Sequence, residues 1–229
     1  MFPIKDNVPT RSFPLVTILL IAANVAVFVL YQLPDFDHSV NQLAYHPCEV
    51  TRECPVVGED WPVTAITSMF MHGDWFHLGG NMLFLWIFGN NVEDSFGKIR
   101  FLVFYLLGGI AATITQTAIT LSVGSDAAAE IPNLGASGAV SAVLGAYLIL
   151  LPTASVVTLF FFVIFFLREL PAWLFLGFWF VIQLWAGGFS LVEPQADGGI
   201  AFFAHIGGFV FGALAVGLFA QQRPLRPAY

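Results

Sequence analysis

Apolar residues in this chain come in long blocks, not in the alternation a half-buried sheet would need. Residues 13–33 carry no charge between Arg11 and Asp35. A helix of about 20 residues at 1.5 Å each reaches across a hydrocarbon core of roughly 30 Å. Further blocks follow at 77–91, 99–121, 137–151, 171–188 and 200–220. The pattern predicts six membrane-spanning helices with both termini on one side. Lys5 and Arg11 precede the first block as they would in a signal peptide. The block is longer than an apolar signal core and no small-residue cleavage pattern follows, so it is expected to stay as a span. Residues 154–167 are also apolar, but Pro152 precedes them and Arg168, Glu169 and Pro171 follow. At about 14 residues they predict an interfacial or re-entrant piece, not a seventh span.

Composition agrees with that pattern. Hydrophobic residues make up 58% of the 229 and charged residues 10%, against about 25% charged in soluble domains. The expected fold class is an all-α polytopic membrane protein, a six-helix bundle. Residues 1–12 form a short N-terminal segment, 13–220 the membrane domain with an outer loop at 34–76, and 221–229 a short tail. With the termini inside, seven of the eight Lys and Arg residues lie on the inner side and only Arg52 outside, as the positive-inside rule requires. Cytoplasmic termini are therefore expected. The short tails favour a multi-pass protein of a prokaryotic plasma (inner) membrane. No basic patch interleaved with aromatics suggests nucleic acid. Cys48 and Cys54 share the first outer loop, where either a disulfide or two free thiols fit. No four-ligand metal spacing is present.

The candidate chemistry lies in polar residues inside apolar blocks, which are costly there and usually functional. Spans two, four and six all start on the outer side. His77 begins the second, Ser137 begins the fourth, and His205 is about five residues into the sixth, so all three share one level. Residues 137–151 supply only about 22 Å of helix, so Ser137 is expected below the outer interface. The preceding loop at 122–134 must then dip inward to line a cavity open to the outside. A hydroxyl needs a base to become a nucleophile, and neutral imidazole suits that task. No Asp or Glu lies in the apolar part of a span, so Ser137 and His205 can form a dyad at most. Gly135 and Gly138 flank the serine and remove bulk, and Ser137 opens a helix whose free N–H groups favour an oxyanion. His77 and Asn81, four apart, share one helix face and make a candidate oxyanion pair. Gly208-x-x-x-Gly212 allows close helix approach, which would bring His205 to Ser137.

These residues resemble the rhomboid family of intramembrane serine proteases. The resemblance covers roughly residues 61–212. It includes His-x-x-x-Asn at His77 and Asn81, Val92-Glu93 with Gly97, Gly-x-Ser-Gly around Ser137, and Ala-His-x-x-Gly-x-x-x-Gly from Ala204 to Gly212. It implies Ser137 as nucleophile, His205 as general base, and His77, Asn81 and the Ser137 N–H as oxyanion donors. It also implies a gate formed by the fifth span and the loop 189–199, and membrane-protein substrates. Serine chemistry of this kind implies no cofactor. Some members carry an aromatic residue four positions after the serine, stacked on the base; this chain has Ser141. Where many relatives have Trp-Arg in the first loop, this chain has Trp61-Pro62.

The alternative reading is a catalytically inactive relative that binds and escorts transmembrane segments; the intact Ser and His argue against it. His72 is expected to hold loop carbonyls or water, and Gln116 and Gln183 to hold water or bridge helices. The Phe-rich stretch 160–166 is expected to face lipid. His38 and His46 are loop residues with no partner visible in the sequence.

Overall fold

The computed structural model describes residues 2–51, 58–161, 165–190 and 201–225. Each of the six apolar blocks forms a helix. The first is α1 (Leu15–Ala26), which continues as a π-helical stretch, Val27–Gln32. Two short helices follow in the first loop, α2 (Phe36–Leu43) and α3 (Trp61–Thr67). The second block is α4 (Trp75–Phe96) and the third α5 (Lys98–Val123), with the short α6 (Asp126–Ala129) after it. Then come α7 (Ser137–Leu150), α8 (Ala172–Ser190) and α9 (Phe202–Phe219). Four of these stretches, Leu15–Gln32, Lys98–Val123, Ala172–Ser190 and Phe202–Phe219, are long and apolar enough to cross a membrane, while Ser137–Leu150 is apolar but shorter.

The fold is mostly helical, as expected, with one small sheet beside the helices. Strand β1 (Phe2–Asp6) pairs antiparallel with β2 (Ser155–Phe161), which pairs antiparallel with β3 (Phe165–Pro171). The short apolar stretch is therefore largely a β-hairpin, and the N-terminal segment is its third strand. A lone hairpin is marginal in water; here a third strand and the bundle support it. Val156 and Thr158 are fully buried, while Phe165 and Leu167 are exposed. Phe160 and Phe166, expected to face lipid, pair across the strands with rings stacked 5.2 Å apart.

Polar contacts tie the sheet end of the bundle together. The N-terminus of α1 has no cap of its own, since Pro14 precedes it. Helix α4 supplies one. Glu93, 2% exposed, accepts from the Val16 and Thr17 backbone N–H groups at 3.0 and 2.8 Å and from the Thr17 hydroxyl at 2.8 Å. Asp94 accepts from the Arg11 and Ser12 backbone and pairs with the Arg11 guanidinium at 3.1 Å. Carboxylates on an uncapped helix start satisfy its free donors and its dipole together. Nearby, one Asp6 carboxylate oxygen accepts from the Tyr147 hydroxyl (2.6 Å) and the Asn91 amide (2.7 Å).

In the first loop, Cys48 is buried and disulfide-bonded, and no cysteine among the described residues is free. Cys54, its expected partner, lies outside the described residues. His46 finds the partner its sequence does not reveal: its Nδ1 lies 3.0 Å from Glu49 Oε1.

Two outcomes are expected. Glu93→Ala leaves two backbone donors and a hydroxyl unsatisfied, a loss of about 2–4 kcal/mol. Thermal unfolding in detergent reads it, with Glu93→Gln losing less; a melt equal to the wild type would refute the cap. Burial pushes the Asp6 carboxyl up to about 6 from 3.8. The folded state then holds this proton more tightly than the unfolded chain, so its stability contribution is greatest at low pH. It declines as pH rises from about 4 through 6. Melting scans across that window should show the decline in the wild type and a smaller one in Asp6→Asn.

Candidate active site

Helices α4, α7 and α9 begin at the same end of the bundle, and the cavity lies there. His77, Asn81, Ser137 and His205 all line one cavity of about 770 Å³, together with Ser141 and Trp179. Three segments far apart in sequence are thus brought to a single space.

Contact between α7 and α9 sets the distance between their chemistry. A Cβ on Gly208 would run into the Gly138 carbonyl oxygen, and one on Gly212 into the Ala142 carbonyl oxygen. From the other side, a Cβ on Gly145 would meet the Phe209 carbonyl oxygen. The glycines therefore let backbone lie on backbone, the small-residue packing used where lipid removes the hydrophobic drive between helices. Gly138 itself lies against Ala112 of α5, where a Cβ would come 2.5 Å from the Ala112 methyl.

Ser137 is the first residue of α7, and that helix start has no side-chain cap. Its leading N–H groups therefore have no intrahelical partner. The loop before it is pinned by the Tyr45–Asn133 bridge and by the Gly135 N–H on the Ser68 carbonyl at 2.9 Å. Gly135 has φ +124°, and a Cβ there would come 2.7 Å from His77 Nε2 and 3.6 Å from Ser137 Oγ. Gly135 thus lets the imidazole of His77 lie beside the serine.

His77 is oriented from its own helix start. Asp74 caps α4, accepting from the Phe76 and His77 N–H groups at 2.7 and 2.8 Å. The His77 bond first, then that from Phe76, hold its carboxyl below the usual range despite slight desolvation. The Gly73 N–H donates to His77 Nδ1 at 3.3 Å, so in the neutral ring the proton sits on Nε2. Asn81 spends one amide N–H on the His77 carbonyl at 3.1 Å and retains a second. His72 is fully buried and its ring stands edge-on to His77 with centroids 5.1 Å apart. Its backbone is bracketed by the Gln32 amide, at 2.8 and 3.1 Å. Burial pushes the His72 imidazole down to about 3, so it is neutral in the physiological range.

Both glutamines within apolar helices serve α9. Gln116 Oε1 accepts from the Ala204 N–H at 3.1 Å, capping the first turn of α9. Gln183 Oε1 lies 2.8 Å from His205 Nδ1. Sequence reasoning took both as generic bridges. Their depth in apolar segments was the available signal, but which group each one meets is a tertiary fact. The Ser141 hydroxyl donates to the Ser137 carbonyl at 2.6 Å. The loop 189–199 implied as a gate lies mostly outside the described residues.

The sequence is similar to one family model and to several known proteins. The rhomboid domain model matches residues 60–222. "Rhomboid protein 1, mitochondrial" of Saccharomyces cerevisiae is 31% identical over 201 residues, covering 85% of this chain and 50% of that protein. "RHOMBOID-like protein 12, mitochondrial" of Arabidopsis thaliana is 32% identical over 162 residues, 66% of this chain and 45% of that protein. "Presenilin-associated rhomboid-like protein, mitochondrial" of Homo sapiens is 28% identical over 142 residues, 62% of this chain and 34% of that protein. The chain thus spans half or less of the length of these relatives. All three are mitochondrial, which overturns the expectation of a prokaryotic plasma membrane. That expectation rested on short tails, and tail length does not report which membrane a bundle belongs to. With its family model covering most of the sequence from the first loop to the end of α9, this chain belongs to the rhomboid family.

Proposed function

We propose that this protein is an intramembrane serine endopeptidase that cuts membrane-protein substrates in or near their transmembrane segments, with Ser137 as nucleophile and His205 as general base. The observation that carries the reading is the single cavity lined by Ser137, His205, His77 and Asn81. Membership of a family that is generally one of intramembrane serine proteases supports it. In this reading six helices, α1, α4, α5, α7, α8 and α9, cross the membrane. The termini and the sheet lie on the face that collects the basic residues, and the cavity opens on the opposite one. The mitochondrial relatives support a place in the mitochondrial inner membrane. Residues 13–220 form the membrane domain, with short segments at 1–12 and 221–229.

The chemistry follows from the geometry. His205 takes the Ser137 hydroxyl proton as Oγ attacks the peptide carbonyl. The developing oxyanion meets the His77 Nε2–H, the second Asn81 N–H and the uncapped N–H of Ser137. The imidazolium then gives its proton to the leaving amine, and water releases the acyl-enzyme by the same route. Donors already fixed in place stabilise charge without reorganising.

The first test is cleavage of single-span substrates by the purified protein in detergent. Ser137→Ala and His205→Ala are each expected to abolish it; cleavage surviving in Ser137→Ala would sink the assignment. If the intact chain binds such segments but cuts none of a broad panel, the escort reading replaces this one. His77→Ala and Asn81→Ala should each lower kcat by roughly 10²–10³-fold if they are oxyanion donors; a change confined to KM would remove them from that role. Gly135→Ala combines a left-handed backbone position with a methyl forced onto His77, and is expected to cost about 1–3 kcal/mol and most of the activity. Gly79→Ala, with nothing within 4 Å of its would-be Cβ, serves as the neutral comparison in the same thermal melt.

A further inference from the structure

Gln183 sits within the apolar helix α8 and is 7% exposed. An amide in such surroundings is costly to leave unpaired. Its nitrogen points at the Trp179 carbonyl one turn earlier, at 3.5 Å, and its oxygen lies 2.8 Å from His205 Nδ1. An amide oxygen can only accept, so Nδ1 carries the hydrogen of this bond. A neutral imidazole has one N–H. The Nε2 lone pair is therefore left for the cavity that Ser137 lines.

We infer that Gln183 is the positioning residue for the general base, holding His205 as the Nδ1–H tautomer with Nε2 free to take the Ser137 proton. Three observations point the same way. The Ser141 hydroxyl, four residues after the serine, is spent on the Ser137 carbonyl. The hold comes instead from α8, where Trp179 and Gln183 stand four apart on one face. The Trp179 ring lies 6.0 Å from the imidazole centroid, tilted by 36°. A histidine side chain free in water favours the opposite tautomer, with the proton on Nε2. In that form it would present a hydrogen to Ser137 and could not act as a base.

This inference rests on the dyad proposed above. In acylation the Oγ–H proton passes to Nε2 as Oγ bonds to the substrate carbonyl carbon. The resulting imidazolium donates its Nδ1–H to the Gln183 oxygen. Nε2 then hands its proton to the amine nitrogen as the C–N bond breaks. In hydrolysis of the ester Nε2 takes a proton from water as the water oxygen bonds to the acyl carbon, and returns it to Ser137 Oγ as the C–Oγ bond breaks. Gln183 exchanges no proton. It keeps the ring in one orientation while Nε2 gains and loses one, in the way a carboxylate orients the base of a catalytic triad, but without a charge to bury.

The test uses the full chain in detergent micelles with ¹⁵N-labelled histidine, the His205 signals being assigned by their loss in His205→Ala. The expected result is a neutral Nδ1–H tautomer in the wild type and a shift to Nε2–H in Gln183→Met, which keeps the length and removes the acceptor. In parallel, Gln183→Met should lower kcat by about 10- to 100-fold, the loss of one hydrogen bond to a charged group, with KM unchanged. Gln183→Glu, which restores an acceptor at the same place, should recover most of that loss. An Nε2–H tautomer in the wild type, or an unchanged kcat in Gln183→Met, would overturn the inference. Reading the wild-type tautomer needs no substrate to be cut. A wild type that shows the Nδ1–H tautomer yet cleaves nothing would sink the protease reading and leave the role of Gln183 as holder of the ring intact.

Discussion

Everything at the candidate site depends on two helices whose backbones touch. Where Gly208 meets the Gly138 carbonyl and Gly212 meets that of Ala142, a single added methyl has nowhere to go. Such contact fixes the offset of α9 along α7 as well as their separation. His205 lies one turn before Gly208, and Ser137 lies next to Gly138, so the same contact sets the level at which both line the cavity. Lipid tails are as apolar as leucine, and a bundle in them gains little from burying more leucine. Shape at the closest approach therefore decides which helices sit together.

Buried polar groups do the remaining positioning, and they fall at the two ends of the bundle. At the sheet end, Glu93 caps the start of α1, Asp94 holds Arg11 and Ser12 just before it, and Asp6 joins β1 to α4 and α7 through Asn91 and Tyr147. At the cavity end, Gln116 caps α9, Gln183 holds His205, and Gln32 brackets His72. In each case a group that would be expensive to bury alone is answered from a different element. The bundle is thus clamped at both ends, with mostly apolar contact between.

The sheet shows where pattern reading failed. Residues 155–161 include Val156, Val157 and Thr158, types that favour strands, but the stretch is too short for periodicity to separate strand from helix. Its partner β1 lies about 150 residues earlier along the chain, joined through the register Phe2 to Leu159. An antiparallel pair satisfies its backbone only when both strands are present, and no local signal announces a partner that distant. The compartment failed for a different reason: it was read from short tails, and tail length does not say which membrane a bundle occupies.

The sequence by itself determined the membrane character, the six helical blocks, and the identity of Ser137, His205, His77 and Asn81 as candidates. These are legible because burial in lipid is a one-dimensional constraint: about 20 apolar residues are needed to cross, and any polar residue among them stands out. Tertiary structure alone decided what each polar residue meets. Gln183 reaches His205, Gln116 the Ala204 N–H, Ser141 the Ser137 carbonyl, and Glu93 the first turn of α1. A hydrogen bond depends on a few tenths of an ångström and on direction. Those are settled only when helices far apart in sequence have packed, and here glycine against carbonyl is what packs them.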